Sequence, residues 1–179
     1  MADINTKMDL LTALQDSNER AEKWFIEIPA NAFFARSENA WSPSDNVDHL
    51  IKAVAPVAKA LRLPKITLRA MFGKPEKTSM RYEELCKRYR DEIARGGQAS
   101  GRFLPEQQTP SLDAGEKKTA LLEQWSKANQ GLLSVVKEWD EADLDQYLLP
   151  HPLLGKLTVR EMIFFTIYHN LRHASLEGD

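Results

Sequence analysis

The sequence has one cysteine in 179 residues. An internal disulfide is therefore excluded, and with it the stapled scaffolds of small secreted proteins; a reducing compartment is expected. Long apolar runs are missing too. No stretch approaches the roughly 18 unbroken apolar residues of a membrane span. The opening MADINTKMDLL carries two acids and lacks the apolar core of a signal peptide. A cytoplasmic, soluble protein with no membrane partner is expected. An excess of one charge is also absent: 24 Lys and Arg stand against 26 Asp and Glu, a net of -2. That balance gives no general basic footprint and no acidic tail, so nucleic acid is not expected as a partner. Strand-like alternation is nearly absent, and no pair of runs brackets an Asn-Gly or Asp-Gly turn. Nothing repeats at a period of about 20 to 50 residues, which argues against a solenoid.

What is present favours helices. There are 22 Leu and 19 Ala against 6 Val, a helix-former bias that predicts an all-α fold. Hydrophobic residues are 42% and charged residues 28%, an ordinary globular mixture in a length suited to one domain over residues 1–179.

Apolar spacing predicts four long helices. The first runs from about Asn5 to Ile28, with Leu10, Leu14, Ala21, Trp24, Phe25 and Ile28 on one stripe and Pro29 closing it. Ser42, Pro43 and Asp45 form a capping-box start for the second, which runs to about Leu63 and carries Pro56 as an expected kink. Its stripe is Val47, Leu50, Ile51, Val54, Ala58 and Leu61. Residues 64–114 read as an irregular crossover, broken by Gly73, Gly96, Gly97, Gly101, Pro105 and Pro110, with a short helix over Tyr82 to Ala94. The third long helix starts at Ser111 or Leu112 and runs to Trp139. A loop containing Pro150, His151, Pro152 and Gly155 follows. Thr158 and Glu161 then cap a fourth helix from Val159 to about Leu176. A four-helix bundle is the default packing, and the long crossover would let the second and third helices run parallel.

The chemistry-bearing feature is histidine placement. His169 and His173 stand at i and i+4, one above the other on the last helix, beside Met162 and Thr166. Two imidazoles at this offset can ligate one cation; the spacing alone leaves metal ligation and a satisfied core pair both open. His49 comes to the same level if the second and fourth helices are antiparallel. Its rotation, however, puts it at a helix flank, where a surface histidine is expected. His151 reads as a turn residue.

Other chemistries lack their residues. No glutamate lies between His169 and His173, so a zinc-protease helix is excluded, and there is no phosphate loop or nucleophile elbow. Cys86 has basic neighbours but reads as a small buried hydrophobe. The mixed charges around Tyr82 to Asp91 read as a solvated helix face.

Trp41-Ser42-Pro43 leading to His49 resembles the DinB-like superfamily, as does the stretch from His151-Pro152-Leu153-Leu154-Gly155 through His169-Asn170-Leu171-Arg172-His173. The resemblance implies a four-helix bundle of up-down-down-up topology with a long crossover between the second and third helices. It also implies a divalent metal held by His49, His169 and His173, with Pro56 helping to aim His49 inward. Zinc, nickel, iron and copper all accept imidazole, so the metal is left open. The implied function is a metal-dependent enzyme on a small-molecule substrate, either a transferase using a low-molecular-weight thiol or a hydrolase. A non-catalytic metal-binding or structural bundle is the alternative. At most a second copy of the chain, as a homodimer, is expected as a protein partner.

Overall fold

The computed structural model describes residues 4–38, 40–107 and 113–176. Among them the chain is mostly helical, with a small two-stranded sheet. α1 (Lys7–Glu27) begins at Thr6, whose side chain accepts from the Asp9 N–H while Asp9 accepts in return from the Thr6 N–H. It ends where Pro29 forces Ile28 into an extended conformation. A one-turn helix, α2 (Ala30–Phe33), follows and buries Phe33 and Phe34. A single turn is too short for apolar spacing to reveal it.

α3 (Pro43–Leu61) has the expected capping box: the Ser42 hydroxyl accepts from the Asp45 N–H at 3.1 Å, and the Asp45 carboxylate accepts from the Ser42 N–H at 3.0 Å. The helix continues through Pro56. The crossover is more ordered than its glycines and prolines suggest. It holds α4 (Lys65–Phe72) as well as the expected α5 (Tyr82–Ala94), and a 3₁₀ turn at Gly101–Phe103. α4 escapes a periodicity search because it buries only Leu68.

α6 (Ala114–Lys137) is the third long helix; the expected starts at Ser111 or Leu112, and the break at Pro110, lie outside the described residues. The expected loop after it is instead a 3₁₀ turn (Glu141–Asp145) and a hairpin. β1 (Leu148–His151) pairs antiparallel with β2 (Gly155–Thr158), from Leu148 opposite Thr158 to His151 opposite Gly155. Gly155 closes the turn at φ +75°, a left-handed conformation suited to glycine. Strand alternation was invisible because Leu148 and Leu149 are both buried. α7 (Val159–His173) starts with the reciprocal Thr158–Glu161 cap and stops short of Leu176. It is buried from Val159 to Leu171, so it lies at the centre of the protein.

Hydrogen bonds fix how the long helices run. Lys7 Nζ donates to the carbonyls of Lys137 and Trp139, joining the start of α1 to the end of α6. Trp139 Nε1 donates to the Leu61 carbonyl, so α3 and α6 end together. Buried Asn170 on α7 donates to Asn18 on α1 at 2.8 Å and to Asn129 on α6 at 3.2 Å. At the other end of α7, Arg160 pairs with Asp145 at 2.8 Å and with Glu141. No helix among the described residues is long and apolar enough to cross a membrane.

Candidate metal centre

The first turns of α3 meet the last turns of α7, and this brings His49, His169 and His173 together. One ring nitrogen from each lies within 4.8 Å of the others. His49 Nε2 is 3.1 Å from His169 Nε2. Two nitrogens bound to one metal at about 2.0–2.1 Å in a near-tetrahedral arrangement would be about 3.3 Å apart.

The second nitrogen of two rings is already committed. His49 Nδ1 donates to the Phe103 carbonyl at 2.6 Å, and His173 Nδ1 donates to Asn46 Oδ1 at 2.7 Å. Each bond fixes the tautomer that leaves a lone pair on Nε2, the form a metal ligand needs. The donor set therefore fits a divalent cation.

His49 is 6% exposed, so the expected surface histidine is corrected. Helical phase did put it beside the apolar stripe, but the 3₁₀ turn at Gly101–Phe103 and the end of α7 wall in that flank. Burial holds the His169 and His173 pKa values well below the ordinary imidazole range, and the neighbouring imidazoles and Arg172 add to this. His49 is also lowered, chiefly by burial, against the opposing effect of the bond it donates to the Phe103 carbonyl. All three rings are therefore held toward the neutral form, the one that can ligate a metal.

Aromatic rings surround the cluster. Phe165 stacks on His169 with centroids 4.6 Å apart, and Trp41 stacks on His173 at 6.1 Å. A cavity of about 320 Å³ opens beside it, lined by His49 and His169 together with Tyr89, Arg102 and Phe103 from the crossover. His151 lines the same cavity. It does serve the turn, accepting the Leu153 and Leu154 N–H groups at Nδ1 at 3.2 and 3.0 Å. It is also 7% exposed, and burial followed by the nearby Arg88 pushes its pKa down to about 4. Cys86 is buried and is not among the residues lining this cavity.

Sequence reasoning missed Asn46 and the Phe103 carbonyl. Asn46 left a faint signal, three residues before His49 on one helix face. A backbone carbonyl from a distant turn leaves none.

The model of the DinB superfamily matches residues 13–176. The chain belongs to the DinB superfamily. No curated protein shows significant similarity to it. Among solved structures it is similar to the colibactin self-resistance protein ClbS, solved in complex with double-stranded DNA. The two share 16% identity at a TM-score of 0.49, covering 96% of this chain and 92% of that one. The exclusion of nucleic acid drawn above from charge balance is corrected, because that balance cannot carry it. Net charge sums over all faces of a molecule, whereas binding is decided by one face, so a value near zero excludes nothing.

Proposed function

We propose that this protein is a divalent-metal-dependent enzyme acting on a small molecule through His49, His169 and His173, by thiol transfer or hydrolysis. The observation that carries this reading is the convergence of three imidazoles, two of them with tautomers fixed by Phe103 and Asn46. Three protein ligands suit a catalytic metal, which keeps a position for substrate, better than a closed structural one. The metal would supply Lewis acidity and lower the pKa of a ligated water or thiol. The chain's own residues do the rest. Asn46 and Phe103 orient the imidazoles, Phe165 and Trp41 keep bulk water off them, and the cavity beside His49 and His169 admits the substrate.

We also read the chain as one domain over residues 1–179, with α1, α3, α6 and α7 as an up-down-down-up bundle. The terminal contacts of Lys7, Trp139 and the histidines support that topology.

Elemental analysis of protein purified without an affinity tag tests the metal assignment. About one divalent metal per chain is expected. Full occupancy retained in a His169→Ala/His173→Ala variant would overturn it.

A further inference from the structure

The cavity beside the histidines is not a round pocket. Along α3 it is lined by His49, Ala53, Pro56, Val57 and Ala60, and then by Leu63 just past the helix end. These positions share one helix face, so at 1.5 Å per residue the groove follows α3 for about 20 Å. Its two ends differ in chemistry. One holds His49, His169 and His151; the other ends at Leu63, which is 38% exposed. Lys59 is the charged side chain on the α3 wall, and it stands at the outer part of the groove. A volume of about 320 Å³ admits one small molecule. It is far too little for a partner helix about 10 Å across.

His151 supplies direction at the polar end. Its Nδ1 accepts two backbone N–H groups, so the proton of the neutral ring is on Nε2. That N–H has no partner among the described residues and belongs to a ring that lines the groove. It is a donor held by its own turn, ready for an acceptor oxygen.

We infer that the groove binds an elongated amphiphile, a long-chain acyl ester or amide. Its carbonyl oxygen accepts from His151 Nε2–H and its alkyl chain lies along α3 toward Leu63. This rests on the proposed function only in taking the histidine end as the reacting end. Binding of the tail requires no metal. His151 is thus a positioning residue for the carbonyl, and the α3 face sets chain-length specificity.

The test is a binding titration, followed by ligand-detected NMR, with methyl esters from butanoate to hexadecanoate and with the matching alkyl methyl ethers. It is run on chelator-treated and on metal-loaded full-length protein. Affinity for the esters is expected to rise about four-fold per methylene in both forms. Ala60→Phe, which fills the groove, should abolish that rise. Leu63→Glu, an exposed change that leaves the core intact, should weaken only the longest chains. His151→Asn, which still offers the turn an acceptor, should lower the ester-over-ether preference about ten-fold without altering the chain-length dependence. Affinity that is flat with chain length, or a rise that survives both groove variants, would overturn the groove assignment. An unchanged ester-over-ether ratio in His151→Asn would overturn the role of His151. Since metal content is measured separately, protein that takes up no metal when offered it, yet still binds the esters, would fail the metal reading and leave this one standing.

Discussion

Asn46 accepts a hydrogen bond from His173 Nδ1 at 2.7 Å, tying the first turns of α3 to the last turn of α7. The bond fixes the His173 tautomer and draws the two helix ends together at the cluster. Replacing Asn46 with Leu should lower metal affinity about 10- to 100-fold, the usual cost of removing a partner that orients a ligand. Competition with a chromogenic chelator measures this. Equal affinity in Asn46→Leu would mean the bond plays no part in holding metal.

Acid should destabilise the metal-free protein, with His151 contributing. An unfolded imidazole titrates near 6.5, and the folded His151 ring near about 4. Between these values the unfolded chain takes up a proton that the folded chain refuses. The stability from the neutral ring is therefore complete above pH 6.5 and declines as pH falls toward 4, by at most about 3 kcal/mol. Urea midpoints measured from pH 7.5 to 4.5 should fall less steeply in His151→Asn than in the unaltered protein. Parallel slopes would contradict the assignment.

The helix caps carry measurable stability. Ser42→Ala removes the acceptor for the Asp45 N–H, and Thr158→Ala does the same for Glu161. Each should cost about 1 kcal/mol in urea denaturation. Ser42→Ala should also weaken metal binding, because His49 lies within two turns of that cap. Thr158→Ala, at the far end of α7 from His169, should leave metal binding unchanged.

Metal should protect the crossover from proteolysis. His49 holds the Phe103 carbonyl, so ordering His49 on a metal orders the turn that contains exposed Arg102. Limited trypsin digestion should cut at Arg102 more slowly in metal-loaded than in chelator-treated protein. Cleavage at Arg95, in an exposed stretch outside that bond, should change less.

Much of the frame was legible because it rests on local rules. The Ser42–Asp45 and Thr158–Glu161 boxes are written in consecutive residues, and the starts of α3 and α7 follow from them. The His169–His173 pair was visible as an i, i+4 spacing. What escaped was long-range or weakly periodic. α4 buries one leucine, and β1 buries adjacent leucines in place of alternating ones. The burial of His49 depends on a turn 54 residues away in sequence, which no periodicity of its own helix encodes. The charge balance misled in another way: it is an average, and partner choice is local.

The amides in the core have a consequence for the whole assembly. Greasy surfaces tolerate sliding and turning, because one leucine contact substitutes for another. Asn170 allows no such freedom, since its side chain must meet Asn18 and Asn129 on two different helices at once. It directly follows His169, so a rotation of α7 that broke these bonds would swing the imidazole away from His49. The three amides thus act as an index pin: they contribute little cohesion, but they admit a single rotational setting of the central helix.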